Sequence, residues 1–451
     1  MHKRTAALSL TLAVSALLPA TLPAQAASGS SGSYATKTPY APQQNPRSYE
    51  KAPQGFVPVF TENVSRHGSR AASDSEDGEL ILALWEKARA EGQLTRAGQR
   101  FGGDTKALLA AMDKVGYGQL SGRGVREIQD TAARLEKRLP GLFERIAEKS
   151  EPINVTNSGK DRAVDSGNLF AAALAESDPA LAPLITPART DADLLYFHKS
   201  AGGAEYRDYI KNDKRLAATL DALTDQPASH AAARSVLKKI FKPAFVERIT
   251  AGEFSAIGTE IEAAQAVYAL YSIAPAMADE GDWQMERYIA PRDARWFAYL
   301  SDAEDFYEKG PGFADSDITY RMANVLLDDF FTKIDAKRDG TSDAGAELRF
   351  THAEEIIPLA ALMGLPGSTK PVSEARPYTY GDNPWRGESV APMATNIQWD
   401  LFRNGNTYLV RMLYNEKQTA FKKGCEPVAK GSYYYEVDEL KRCLGRTGTA
   451  S

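Results

Sequence analysis

The segment Arg66-His67-Gly68-Ser69-Arg70 follows an apolar, β-prone run at 56–64 and places one imidazole between two guanidiniums where a strand is predicted to end. Guanidiniums donate paired hydrogen bonds to phosphate and stay charged at any working pH. A histidine attacks phosphorus only when it is neutral, and two neighbouring cations favour that form by lowering its pKa. The segment therefore predicts a phosphate site with His67 as nucleophile, although these five residues alone also fit a surface turn.

The spacing within this segment carries a structural expectation. Arg66 and Arg70 are four residues apart, so one helical turn after the strand would point both side chains at the same anion. That anion would also meet the N-terminus of the helix. Gly68, which has no Cβ, would let the backbone approach the anion closely.

A second segment, Phe-Thr-His-Ala-Glu-Glu-Ile-Ile-Pro-Leu at 350–359, puts His352 and Glu354 at the end of another apolar run. The alkoxide that leaves after attack by His67 needs a proton, and a carboxylic acid near an anionic substrate has a raised pKa and can donate it. We therefore assign Glu354 as the proton donor and His352 as a hydrogen-bond donor to a phosphate oxygen. The alternative is a first helical turn whose glutamates complement the helix dipole, and Glu355 is predicted to do only that.

A third segment, Val-Thr-Asn-Ser-Gly-Lys-Asp-Arg-Ala-Val-Asp-Ser at 155–166, leads from a β-prone stretch into an apolar helical pattern. Arg162 would be the third guanidinium on the phosphate. Without the other two segments, a solvated arginine in the first turn of a helix is the favoured interpretation.

The three segments together resemble the ordered signatures of the histidine acid phosphatases: Arg66-His67-Gly68-x-Arg70, then Ser158-x-x-x-Arg162, then His352-Ala353-Glu354. The His-Ala-Glu form, in place of the His-Asp of many phytases, is similar to the multiple inositol polyphosphate phosphatase branch. Further segments at 118–124, 306–312 and 409–415 also resemble parts of this family. The proline that many members place shortly after the second arginine is absent here, as is the cysteine often found near 194–198.

The resemblance implies an α/β fold: a phosphoglycerate-mutase-like domain whose central sheet is flanked by helices, with an inserted, mostly α-helical lobe. It also implies a phosphohistidine intermediate on His67 that water hydrolyses, and a proton donor at Glu354. The side chains that would hold the phosphoryl group are those of Arg66, Arg70, Arg162 and His352. No metal or other cofactor is expected, because three guanidiniums already neutralise the phosphoryl group.

The N-terminal residues predict export. Residues 1–26 have basic Lys3 and Arg4, an apolar stretch and Ala24-Gln25-Ala26 before a cleavage point, which is typical of a secretory signal peptide. The apolar stretch is too short for a membrane span. Cys425 and Cys443 are the only cysteines, and export favours a disulfide between them.

Composition and periodicity predict the organisation of the chain. The expected parts are a signal peptide at 1–26, a flexible leader at 27–47, an α/β domain at 48–190 and 336–451, and a helical lobe at 191–335. The leader is rich in Ser, Gly, Pro and Gln. Segments 78–113 and 122–149 have helical spacing and are expected to flank the sheet. The candidate catalytic segments lie on both sides of the lobe, so the site is expected at its interface with the sheet, near strand ends.

The function predicted from these residues is a secreted phosphomonoesterase acting on inositol polyphosphates such as phytate, with Lys160 and Lys309 as candidate contacts to phosphates that are not cleaved. A sugar-phosphate or broad-specificity acid phosphatase is an alternative, because sequence does not report pocket size. A non-catalytic secreted phosphate-ester binding protein is another, against which the intact His67 and Glu354 argue.

The partner is expected to be a small molecule, not nucleic acid or membrane, since no long run of like charge occurs. The oligomeric state is left open. His198 and His230 are predicted to be solvated or capping groups.

Overall fold

A mixed β-sheet lies at the centre of the computed structural model, which describes residues 33–446. The predicted signal peptide at 1–26 and residues 27–32 of the predicted leader lie outside the described residues. From Ser33 onward the chain forms one compact unit. The strands are β1 (Val57–Arg66), β2 (Ile153–Asn157), β3 (Arg189–Thr190), β4 (Ala346–Thr351), β5 (Asn396–Asn404), β6 (Thr407–Tyr414), β7 (Lys417–Gln418) and β8 (Tyr434–Glu436).

The strand order within the described residues is β3-β2-β4-β1-β5-β6-β7, with β8 also paired to β6. Strands β3, β2, β4 and β1 run parallel, and β5 to β8 pair antiparallel. In the parallel part, Arg66 of β1 is in register with Thr351 of β4, and Asn157 of β2 with Phe350. The carboxyl ends of these three strands therefore lie side by side at one edge of the sheet.

Helices occupy most of the remaining chain. They are α1 (Glu76–Ala90), α2 (Arg96–Val115), α3 (Gly122–Arg138), α4 (Pro140–Lys149), α5 (Asp161–Ser177), α6 (Ala192–Leu195), α7 (Ala204–Asn212), α8 (Lys214–Thr224), α9 (Pro227–Ile240), α10 (Pro243–Thr250), α11 (Glu260–Ile273), α12 (Pro291–Glu308), α13 (Asn324–Arg338), α14 (Ala353–Leu362), α15 (Gly387–Val390) and α16 (Val437–Cys443). Within residues 33–446, no helix has the length and apolar character needed to cross a lipid bilayer.

The α/β class predicted from the sequence is confirmed, with an all-helical run from α6 to α13 between β3 and β4. The helical segment predicted at 78–113 is divided into α1 and α2 by a turn at Gly92, and the one at 122–149 is divided into α3 and α4 before Pro140. Helices α1 and α2 pack against α11 and α9, so they extend the helical layer and do not simply flank the sheet as predicted. The domain boundaries stay predictions.

Two hydrophobic clusters hold the helices on the sheet. Alternate residues of β4, Ala346, Leu348 and Phe350, point into a cluster formed with α3, α4 and α5. The larger cluster joins β1 and β5 to α1, α2 and the helices of the run between β3 and β4. Between these layers, the guanidinium of Arg349 forms buried ion pairs with Glu62 on β1 at 2.9 Å and Asp329 on α13 at 2.6 Å.

Part of the predicted flexible leader is packed against the body of the protein. Ala35 and Tyr40 are buried, and the backbone N–H of Tyr40 donates to Oε1 of Glu127 on α3 at 2.9 Å. The Tyr40 side chain lies in the cluster formed with α3 to α5. Residues 35–40 of the predicted leader are therefore anchored to the body of the protein, while residues 41–47 are mostly exposed and the flexibility of the leader stays a prediction. The buried residues of this segment, Ala35 and Tyr40, do not recur with the period of a helix or a strand. Its polar composition therefore gave no sign that it packs against the protein.

Cys425 and Cys443 form a disulfide that joins the loop before β8 to the end of α16, as predicted. Closing this loop restricts the unfolded chain, which in the chain-entropy model stabilises the fold by roughly 3 kcal/mol.

Glycines allow close backbone packing between the loop after β1 and the start of α3. A Cβ added at Gly68 would lie 2.4 Å from the carbonyl oxygen of Gly124, and one at Gly124 would lie 1.9 Å from that of Ser69. The backbone also joins the two elements, because the Ser121 N–H donates to the Ser69 carbonyl at 3.0 Å. Gly68 is thus required because the backbone of α3 lies close to it. The sequence predicted a different reason, a close approach of the backbone to an anion.

We expect Gly124→Ala to lower the free energy of unfolding by roughly 1–3 kcal/mol, because two backbones would have to separate. It should also reduce kcat/KM by displacing the loop that carries Arg70. Gly103→Ala is the matched control: Gly103 lies in α2 with no atom near its added Cβ, so alanine should stabilise the helix by up to about 1 kcal/mol. Urea unfolding of both variants checks this, and an unchanged Gly124→Ala protein would contradict the close contact.

Candidate active site

The three sequence segments meet at the carboxyl edge of the parallel strands. His67, Ser158 and His352 each directly follow a strand: β1, β2 and β4 respectively. The His67 N–H donates to the Thr351 carbonyl at 3.0 Å, which continues the parallel ladder one residue past β1. The imidazole rings of His67 and His352 have centroids 5.5 Å apart. Segments nearly 300 residues apart in sequence are therefore neighbours in space.

A cleft of about 320 Å³ opens at this edge. Side chains of all three predicted segments line it. Thr36 and Lys37 near the N-terminus also line it, as do residues of α11 and α12. The charged lining residues are Lys37, Arg66, Arg70, Asp74, Asp77, Arg162, Asp305, Lys309 and Glu354. The cleft thus lies between the sheet and the helical layer, where the sequence predicted the site.

His67 is held as a neutral imidazole with a defined tautomer. Its Nδ1 lies 2.9 Å from the carbonyl oxygen of Gly68, which can only accept, so Nδ1 carries the proton and Nε2 keeps its lone pair. Burial lowers the pKa of His67 well below its ordinary value, and the nearby Arg66 and Arg70 guanidiniums lower it further. This arrangement gives a nucleophilic nitrogen at any pH near neutrality.

Three guanidiniums converge on the same space. Arg66 is the last residue of β1, Arg70 lies in the loop after it, and Arg162 lies in the first turn of α5. The Nε atoms of all three are buried and have no hydrogen-bond partner within residues 33–446. Burial and mutual repulsion lower the pKa of Arg70 to about 10, which still leaves it charged at neutral pH. Buried donors without partners and crowded like charges are both relieved by an anion.

The Arg66 guanidinium has a fixed orientation. Its Nη1 donates to the carbonyl oxygens of Thr36 and Ala391, each at 2.6 Å. These two carbonyls belong to the N-terminal segment and to the loop before β5. Neither was found from the sequence, because a backbone carbonyl has no residue-type signal.

His352 is oriented by Ser158, whose hydroxyl lies 2.8 Å from Nε2 of the imidazole. Burial and the Arg162 guanidinium lower the pKa of His352 to about 3, so the ring is neutral. The Ser158 oxygen also accepts from the Lys160 N–H at 3.4 Å, and its hydroxyl can donate to Nε2. In that tautomer the ring proton is on Nδ1, which is buried without a partner among the described residues and can donate to an anion.

Glu354 lies in the first turn of α14 and lines the cleft. Burial acts to raise the pKa of Glu354, but the Lys309 ammonium, His352 and His198 lower it to about 2. His352 is itself neutral above about pH 3, whereas the Lys309 ammonium stays charged at working pH. Glu354 is therefore a carboxylate before substrate binds, and the raised pKa expected for a proton donor requires the substrate's own negative charge.

The helical turn predicted for residues 66–70 does not form. Residues 67–75 are a loop, and α1 begins at Glu76. The loop backbone pairs with the segment before α3, because the Ala71 N–H donates to the Gln119 carbonyl at 3.0 Å and the Gly118 N–H to the Ala72 carbonyl at 2.7 Å. The N-terminus of α14 reaches the cleft through Ala353 and Glu354, and the first turns of α1 and α5 reach it through Asp77 and Arg162.

His198 and Glu355 form a buried pair behind the cleft. Nδ1 of His198 lies 2.5 Å from Oε1 of Glu355, and the Thr351 hydroxyl donates to Oε2 at 2.9 Å. Burial raises the pKa of Glu355 to about 7. The predictions of a solvated His198 and of a Glu355 that only complements the helix dipole are wrong, because the long α6–α13 connection covers this end of β4.

The other predicted side groups divide between cleft and surface. Lys309 lines the cleft, but its Nζ lies 2.6 Å from Asp305 in an ion pair. Lys160 is exposed and stands over the Tyr196 ring, outside the cleft lining. His230 is at the surface of α9 between Asp225 and Glu260.

Comparison with known proteins places this architecture. Residues 60–415 match the histidine phosphatase superfamily (branch 2). The chain is 24% identical to the multiple inositol polyphosphate phosphatase 1 of Gallus gallus, over 94% of this chain and 93% of that protein. The multiple inositol polyphosphate phosphatase of Bifidobacterium longum in complex with inositol hexasulfate is 34% identical, with a TM-score of 0.86 over 92% of this chain and 97% of the other. Its complex with phosphate gives 32% identity and a TM-score of 0.88, covering 93% and 99%. With most of its length matched in sequence and in structure, the chain belongs to branch 2 of the histidine phosphatase superfamily.

Proposed function

We propose that this protein is a phosphomonoesterase that releases phosphate from inositol polyphosphates such as phytate, through a phosphohistidine intermediate on His67. The observation that carries the proposal is a buried, neutral His67 whose Nε2 keeps its lone pair, beside three guanidiniums whose Nε donors have no partner among the described residues. A relative of 34% identity whose structure contains inositol hexasulfate supports the substrate class.

In the first step, Nε2 of His67 attacks phosphorus and forms an N–P bond while the bond from phosphorus to the ester oxygen breaks. Charge on the equatorial phosphoryl oxygens is met by Arg66, Arg70 and Arg162 and by the Nδ1–H of His352. These donors are positioned before the reaction by the contacts of Arg66 with two carbonyls and of His352 with Ser158. No reorganisation is needed when the charge develops.

Glu354 completes both halves of the reaction. The substrate's negative charge raises its pKa, so it takes up a proton on binding and gives that proton to the leaving ester oxygen. The resulting carboxylate then accepts a proton from the water that attacks the phosphohistidine, which breaks the N–P bond and releases inorganic phosphate. Its place at the start of α14, on the cleft wall beside Lys309, supports this role.

Export is part of the proposal. The signal-like residues 1–26 and the disulfide between Cys425 and Cys443 support an extracellular location, since thiols are kept reduced in the cytosol.

The substrate class is tested by measuring phosphate release from inositol hexakisphosphate and from glucose 1-phosphate. Preference for the first supports the proposal, and preference for the second favours a sugar-phosphate phosphatase.

His67→Ala should abolish turnover while the protein stays folded, because no other described side chain has a free nucleophilic nitrogen in the cleft. The measurement is phosphate release together with acid-quenched labelling of the protein by radioactive substrate, which should disappear. His230→Ala is the control, since this histidine lies at the surface between two carboxylates. Near-normal activity of the His67 variant would reject the nucleophile assignment.

Glu354→Gln should slow the cleavage of alkyl phosphates far more than that of 4-nitrophenyl phosphate. A nitrophenolate leaves without help, whereas an alkoxide needs the proton that glutamine does not supply. Single-turnover rates on both substrates give the ratio directly. Equal slowing of the two would count against the proton-donor role and point to a loss of cleft geometry.

Arg162→Met should reduce kcat/KM by about 100-fold or more, corresponding to roughly 3 kcal/mol for one preorganised donor to a developing anion. Arg126→Met is the matched control, because Arg126 pairs with Asp279 on the surface of α3 and does not line the cleft. Steady-state kinetics compare the two. A wild-type rate for the Arg162 variant would remove this guanidinium from the site.

A further inference from the structure

We propose that Lys37 binds a phosphate group of the substrate other than the one being cleaved, and so makes residues 33–40, here called the N-terminal strap, part of the substrate site. The inference rests on the proposed function, because it assigns a second phosphate of the same substrate. The observation behind it is a lysine that lines the catalytic cleft from a segment with no catalytic motif.

The strap has a defined position. Ala35 is buried, the Thr38 carbonyl accepts from the Met393 N–H at 2.9 Å, and the Tyr40 N–H donates to Glu127 at 2.9 Å. Glu127 also accepts from the backbone N–H of Ser69, at 2.8 Å, within the catalytic loop. One carboxylate therefore joins the strap to the loop between His67 and Arg70.

The strap also contacts the helical layer and the catalytic arginine. The Thr36 hydroxyl donates to Oδ2 of Asp305 on α12 at 3.1 Å, and its carbonyl accepts from Arg66. A Cβ at Gly387 would lie 2.8 Å from the Thr36 backbone nitrogen, so this part of the strap is closely packed. The next residue, Lys37, is thus held at the cleft wall by its neighbours on the strap.

The Lys37 ammonium is available for a ligand. Within residues 33–446 it makes no hydrogen bond and no ion pair within 4 Å. Burial lowers the pKa of Lys37 from its ordinary value, Arg70 acts in the same direction, and Asp77 and Asp305 act against them. The other lysine of the cleft, Lys309, is already paired with Asp305 at 2.6 Å. An ammonium has three donors and no acceptor, so an unpaired one beside a cleft suits an anionic oxygen.

The cleaved phosphate has its own donors in three guanidiniums and His352, whereas Lys37 lines the same cleft with Asp77 and Asp305 among its charged neighbours. A substrate with one phosphate would leave Lys37 unused. A polyphosphate would place a second phosphate near it, and the contact would contribute to binding without taking part in bond cleavage. The competing explanation is that Lys37 only balances the charge of Asp77 and Asp305, which would affect all substrates alike.

Lys37→Gln should raise KM for inositol hexakisphosphate by about tenfold, the loss of one charge-assisted hydrogen bond. The kcat on that substrate and both constants for 4-nitrophenyl phosphate should stay within about twofold. Lys37→Arg should restore most of the binding. Lys51→Gln is the control, because Lys51 is an exposed lysine that does not line the cleft.

Binding without turnover provides a second readout. The Kd for inositol hexasulfate, measured by calorimetry, should rise by about tenfold in Lys37→Gln, whereas the Kd for inorganic sulfate should not change. Thermal unfolding establishes that each variant is folded.

Equal losses on inositol hexakisphosphate and 4-nitrophenyl phosphate would overturn the inference in favour of charge balance or of positioning Arg66. An unchanged KM and Kd would overturn it as well. A wild-type protein that hydrolyses 4-nitrophenyl phosphate but not inositol hexakisphosphate would instead reject the proposed substrate class, and with it the second phosphate on which this inference rests.

Discussion

The parallel register of β1, β4 and β2 is the constraint on which the site depends. Because Arg66 is opposite Thr351 and Asn157 is opposite Phe350, the next residue of each strand falls at the same edge of the sheet. These next residues are His67, His352 and Ser158. A slip of one residue in any of the three strands would turn the corresponding side chain to the other face of the sheet. The apolar alternation of β4, buried against α3 to α5, holds the register.

Electrostatics sets the second constraint. Placing Arg66, Arg70 and Arg162 around one space is unfavourable in the absence of an anion, and burial of their Nε groups, which have no partner in the described part of the chain, adds to this cost. The same crowding keeps His67 neutral and ready to attack. The fold therefore offsets a locally unstable cluster with packing elsewhere, notably the two hydrophobic clusters and the buried pairs of Arg349. Such opposition between stability and function is typical of active sites.

The sequence predicted the strand ends and the residue types of the site, because the chemistry of phosphate limits which side chains can serve. It did not predict local backbone geometry: the loop after β1 pairs with residues 118–121 in place of forming a helical turn, and that partner comes from tertiary structure. For the same reason the predictions of a solvated or capping His198 and of a Glu355 that only complements the helix dipole were wrong, since only the folded chain shows that the two side chains face each other. The strap was missed because its anchors, such as Tyr40, follow no period. The catalytic roles themselves stay predictions.

The central position of β1 has a consequence for biosynthesis. Its neighbours on both sides, β4 and β5, lie in the last quarter of the chain, with Thr61 paired to Ala346 and to Asp400. While a ribosome is still translating the first three quarters, β1 has no strand to pair with and both of its edges are open. The site around His67 can therefore assemble only after nearly the whole polypeptide has been made. Long-range pairing of this kind folds slowly, so the nascent chain has no assembled active site until its synthesis is nearly complete.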